Sequence, residues 1–166
     1  MSDNVNIIRS TDKVGATTAW LWLFPVTYLI HIAEEYWIGG GYFAYLARTR
    51  GVNLTPARFI FLNGIGCALI VIGIFIAQRL KFPEWLLVCL GAVVAGNGLT
   101  HTVTALRAAE YNPGLASGLL IWLPLGAATL WVLRGRMRRR RYWSAVAIGV
   151  AINVVVSVLA LNSGKL

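Results

Sequence analysis

The chain has 166 residues, of which 58% are hydrophobic and only 13% charged, with a mean hydropathy of +0.69. Soluble domains carry about 25% charged residues, so this composition excludes an ordinary water-soluble fold and places the chain, as one domain over 1–166, among membrane proteins. The net charge of +9 would suit nucleic acid, but six of the fifteen basic residues sit in one run, "RGRMRRRR", between apolar segments, so no nucleic-acid partner is expected and membrane lipid takes that place.

A bilayer core needs about 20 apolar residues per helix. After a polar beginning, the first such segment covers about 15–38; it is too long and too late for a cleaved signal peptide. Pro25 lies inside it and predicts a kink. The connection over 39–56 follows, and its "YFAYLARTR" alternates aromatic and basic residues as a short interfacial helix does. Further spans are predicted at 58–79, 84–107, 114–133 and 142–162, divided by "QRLKFPE", "RAAEYNPG" and the arginine run, with a second kink at Pro124. Cys67 and Cys89 fall inside apolar segments and are expected to be unpaired.

The expected fold is therefore all-α, a polytopic membrane protein built as a bundle of five transmembrane helices. Lys and Arg set its orientation. One side carries Arg9, Lys13, Arg79, Lys81 and the arginines of 134–141, ten in all, against five on the other, so the N-terminus is expected in the cytoplasm. The expected location is a multi-pass position in the bacterial inner (plasma) membrane. Trp20, Trp22, Trp37, Tyr42, Trp131, Tyr142 and Trp143 lie near span ends, as aromatic belts do. Ala92 and Gly96 permit close helix approach, and the Gly114–Gly118 pair allows a homodimer through a GxxxG contact.

The stretch "YLIHIAEEYWIGGG" at 28–41 departs from this apolar pattern, because His31, Glu34 and Glu35 lie inside a span. Each ionisable residue at bilayer depth costs about 2.5–3.5 kcal/mol on insertion scales, and such clusters usually mark function. His31 pairs with Glu34 at i,i+3 and with Glu35 at i,i+4, one neighbouring face of a helix. Thr27 and Tyr28 extend that face. The predicted topology puts His101, the only other histidine, and Asn63 at the same level on separate helices, with Asn97 four residues before His101 and placed to hold its ring.

Two imidazoles and a carboxylate match the ligand set of catalytic zinc and, second, the facial triad of non-haem iron. His-x-x-Glu-Glu is geometrically related to His-x-x-Glu-His, in which two metal ligands four apart flank a general base. By that analogy His31, Glu35 and His101 bind a divalent metal and Glu34 is the base in a hydrolase-like enzyme; the opposite split of the two glutamates fits nearly as well. Glu110 is a weaker extra ligand. The substrate expected is an apolar or amphipathic small molecule entering from lipid. Two alternatives stay open: a metal-free acid–base isomerase, and a non-enzymatic proton- or ligand-binding membrane protein.

"HIAEE" at 31–35, His101 within "NGLTH", and "YNPG" at 111–114 resemble, in order and spacing, the signature of the HXXEE family of integral membrane proteins. The resemblance implies that His31, Glu34, Glu35, His101, Tyr111, Pro113 and Gly114 form the site, and implies no reaction, since the family's function is unknown. "YNPG" also reads as a turn before the next helix. Tyr111 would sit just outside the site, where its hydroxyl could orient a substrate or stabilise an oxyanion.

Overall fold

A computed structural model describes the backbone over 2–162 and side chains over 17–162. Every regular element among the described residues is helical. Helix α1 runs Ser2–Trp37, α2 Tyr42–Arg50, α3 Pro56–Arg79 and α4 Pro83–Ala108. The single turn α5, Leu115–Ser117, passes through a π-helical turn, Gly118–Trp122, into α6, Leu123–Arg134, and α7 closes the chain at Arg139–Asn162.

The helix ends follow local chemistry. Pro56 and Pro83 each occupy a first-turn position, where the missing N–H costs nothing. Thr55 caps α3; its hydroxyl accepts from the Arg58 backbone N–H at 3.2 Å. Gly51 ends α2 in the left-handed conformation that a glycine takes freely. Pro124 does not simply bend its helix. The turn before it widens to the π form, with the Leu123 N–H bonded to the Gly118 carbonyl, which accommodates a ring that an α-turn would clash with.

Four segments are long and apolar enough to cross a membrane: α3, α4, Leu115–Arg134 and α7. They match the predicted spans to within a few residues. The segment predicted at 15–38 is helical within α1, but with its polar face it is not one of the four. α4 is the central post, with 50% of its apolar window buried against 11% for α3 and for α7. The outer surfaces of α3 and α7 are hydrocarbon, including Ile72, Phe75, Val154 and Val158, all at least half exposed, as a lipid-facing surface requires.

Small residues set the spacing around α4. Added Cβ atoms would strike the Gly118 carbonyl from Gly98, the Gly91 carbonyl from Gly126 and the Cys89 carbonyl from Gly149. Gly114 and Gly118 are both buried, so the GxxxG pair serves contacts within the chain. Leu21, Phe24, Ile74, Leu87, Val88 and Trp122 join α1, α3, α4 and the π turn in one core. Tyr45, Leu46, Leu54 and Phe59 form a second, smaller cluster that fastens α2 over the start of α3.

Trp37, Trp131 and Trp143 are exposed as belt residues should be, but Tyr142 is buried and donates to the Leu130 carbonyl at 3.1 Å. Cys67 and Cys89 are free thiols. Close packing predicts that Gly98→Val, which forces a branched side chain against the Gly118 backbone, lowers stability by about 1–3 kcal/mol. Gly64→Ala, where the added methyl meets nothing within 4 Å, should be neutral or slightly stabilising. Thermal unfolding of both variants in one detergent checks the contrast.

Candidate metal centre

The fold brings His31 and Glu35 of α1 together with His101 of α4. Glu35 Oε1 lies 3.6 Å from His31 Nε2 and 3.4 Å from His101 Nε2. All three residues are buried, and their ligand atoms lie within 4.8 Å of one another. Both separations exceed an ordinary N–H···O hydrogen bond. The His31 Nε2 atom, buried, has no hydrogen-bond partner.

The other nitrogen of each ring is engaged, and its partner fixes the proton. Asn112 donates through Nδ2 to the His101 backbone carbonyl at 2.9 Å. Its Oδ1, 2.5 Å from His101 Nδ1, must therefore accept from that ring nitrogen. Ser117 Oγ lies 2.7 Å from His31 Nδ1. It also bonds to the Glu34 carboxylate, which can only accept, so the hydroxyl donates to Glu34 and accepts from His31. With Nδ1 engaged, each imidazole turns its Nε2 toward Glu35. This is the arrangement of metal-binding histidines, whose second N–H is held by a neighbour.

Asn112, not Asn97, holds the His101 ring. Asn97 lines the neighbouring cavity with its Oδ1 buried and unpartnered. Asn63 accepts the Tyr28 hydroxyl at 3.0 Å, and both line the same cavity. Thr27 bonds to the Phe24 carbonyl of its own helix at 3.2 Å and does not line it. Glu110 is not among the ligands; it pairs with Arg48 at 3.0 Å on the surface. Tyr42, expected in an aromatic belt, instead faces the His101 ring at 5.8 Å.

The two adjacent glutamates point in different directions, as neighbours about 100° apart on a helix must. Glu35 faces the histidines. Glu34 faces the start of α5 and accepts backbone N–H bonds from Gly114 at 3.1 Å, Ala116 at 2.8 Å and Ser117 at 2.6 Å, together with the Tyr111 hydroxyl. An anion at a helix N-terminus satisfies donors that have no partner within the helix. The base role expected of Glu34 therefore has no free oxygen facing the histidines.

Two further residues complete the site. Gly114, at φ +95°, leaves the space the imidazoles fill; a Cβ there would lie 2.6 Å from His101 Cε1 and 2.9 Å from His31 Cε1. Trp122, projecting from the π turn, stacks on His31 with ring centroids 3.7 Å apart. Asn112, Ser117 and Trp122 are the site residues that sequence reasoning missed. Asn112 lies inside the "YNPG" turn, a signal that was open to reading, whereas Ser117 and Trp122 carry no local pattern.

The geometry meets an independent comparison. A family model described as "Protein of unknown function with HXXEE motif" matches residues 22–131, more than half of the chain. The chain belongs to this family. No curated protein and no solved structure matches it. The matched range of the HXXEE protein includes both histidines, both glutamates, the 111–114 turn, Ser117 and Trp122.

Glu34→Ala should strand the α5 N–H groups and destabilise the protein by about 1–3 kcal/mol, with Glu34→Gln, which keeps an acceptor, costing less. Thermal unfolding in detergent reads both. Partial burial and the adjacent Glu34 carboxylate hold the Tyr111 phenol above its ordinary value. The raised folded value favours the neutral phenol, so this stabilisation is present below about pH 10 and is lost as pH rises further. Tyr111→Phe should flatten the alkaline fall in stability.

Proposed function

We propose that the HXXEE protein is an integral membrane enzyme of five spans, N-terminus in the cytoplasm, in which His31, Glu35 and His101 hold a divalent metal ion, zinc first and iron second. The observation that carries this reading is the convergence of two buried Nε2 atoms on one buried carboxylate, all ligand atoms within 4.8 Å of one another, with both Nδ1 positions already held. A divalent ion in that position would supply Lewis-acid chemistry, polarising a substrate carbonyl or phosphoryl group or acidifying water.

The chain's own residues prepare the site. Asn112 and Ser117 fix the two tautomers. Glu34 and Gly114 position the α5 turn that carries Ser117, which makes Glu34 a positioning residue. Tyr111, the exposed side chain bonded to Glu34, is the candidate for orienting a substrate at the rim. The cavity beside the histidines has a volume of about 350 Å³ and is walled mostly by hydrocarbon side chains. Such a site fits a hydrolase-like reaction on an apolar or amphipathic substrate. Glu35 directly facing both imidazoles also favours a second reading, metal-free acid–base isomerisation.

Metal analysis of the purified protein separates the two. The metal reading expects about one zinc or iron per chain, lost in His31→Ala and His101→Ala. Asn112→Ala should weaken metal affinity about 10–100-fold, the usual effect of removing a ligand's supporting partner. A metal-free preparation that stays metal-free on reconstitution would sink the metal reading and leave the isomerase. For topology, Ser10→Cys and Thr49→Cys should react with an impermeant thiol reagent from opposite sides of the membrane. Labelling of both from one side would remove α1 from the spans.

A further inference from the structure

The cavity beside the histidines also has polar lining from α2. Tyr42, Tyr45, Leu46 and Arg50 lie three, one and four residues apart along α2, so one face of this helix roofs the cavity. The cluster of Tyr45, Leu46, Leu54 and Phe59 fixes the roof in place. Arg48, two residues from Arg50, pairs with Glu110. No carboxylate among the described residues lies within ion-pair distance of Arg50.

Much of the cavity wall is apolar and open. Ile65 and Leu69 of α3, and Val156, Leu159 and Leu161 of α7, line the cavity and are each 44–62% exposed on the outside of the protein. Residues that border a cavity and the exterior together mark an opening, and here the exterior is the lipid-facing surface of two candidate spans. A ligand therefore has a route from hydrocarbon into the cavity between α3 and α7. Within the cavity it meets the Arg50 guanidinium, which has no carboxylate within ion-pair distance among the described residues. Arginine binds carboxylate and phosphate through paired N–H donors.

We infer that the ligand of this cavity is a single-chain amphiphile with an anionic head group, bound by Arg50, whose hydrocarbon chain occupies the α3–α7 opening. Tyr42 faces His101. Arg50 lines the same cavity as His31, Glu35 and His101, so a ligand held by Arg50 has access to that group. This inference names the substrate class for the enzyme proposed above and rests on that reading for the chemistry, but not for binding.

The test measures binding to the full-length protein in neutral detergent, with and without a chelator. A fluorescent fatty acid is displaced by palmitate or by hexadecan-1-ol, which has the same chain length and no charge. Palmitate should compete at least about tenfold better than the alcohol. Arg50→Gln should bring palmitate down to the alcohol's level, Arg50→Lys should keep part of the preference, and Arg48→Gln should leave it unchanged. Leu69→Trp, filling the opening, should weaken both ligands. Equal competition by acid and alcohol in the unaltered protein, or a preference that survives Arg50→Gln, overturns the inference. Metal content of Arg50→Gln should match the unaltered protein, so a failed metal site and a failed head-group site give different results.

Discussion

One carboxylate holds the structure's functional parts in register. Glu34, projecting from α1, collects the N–H groups at the start of α5 and the Tyr111 hydroxyl. These bonds are charge-assisted and lie where the helix dipole favours an anion. They tie α1 to the connection that leaves α4, so the two helices carrying the histidines are locked together one turn from the site. The tie adds to the contacts of His31 with Ser117 and Trp122 and to the packing of α1 through Leu21, Phe24, Ile32 and Tyr36.

The bond set also explains why the connection looks as it does. Ser117 must give its backbone N–H and its hydroxyl to Glu34 while accepting from His31, which requires it one turn inside α5. Gly114 must take a positive φ and leave room for two imidazole rings. Asn112 must face back toward the last turns of α4. Pro113 between them stiffens the turn. The π turn that follows serves the same site, since it sets Trp122 against the face of His31 while admitting Pro124 shortly beyond its end.

Much of this was legible from the residues in order. Span boundaries could be read because runs of about 20 apolar residues are punctuated by Pro, Gly and charge, and hydrocarbon thickness allows little freedom in length. His31 and Glu35 could be paired because helical spacing is local. His101 could be matched to them because two helices running in one direction put similar fractions of their length at one depth. The partners of the imidazoles could not be read this way. Asn97 had the correct i,i+4 spacing to His101, but an α4 side chain one turn away loses to Asn112, which the turn swings back onto the ring. Tyr42 and Tyr142 sat at span ends like belt residues, and only packing shows that they turn inward.

The adjacent glutamates illustrate how a helix divides labour at a buried site. A single carboxylate could not both anchor α5 and face the histidines, because its two oxygens would have to serve donors on different sides of α1. Placing the second one residue away rotates it by about 100° and solves the geometry without a second helix. The anchor is satisfied by fixed N–H and O–H donors, so its burial needs no further partner. The other faces the Nε2 atoms of two imidazoles at 3.4 and 3.6 Å. A buried carboxylate is unfavourable unless positive charge stands beside it, which a metal ion or a protonated imidazole supplies. The contrast with its neighbour, whose bonds run to fixed N–H and O–H donors, is why the proposed metal is placed at Glu35 and the structural role at Glu34.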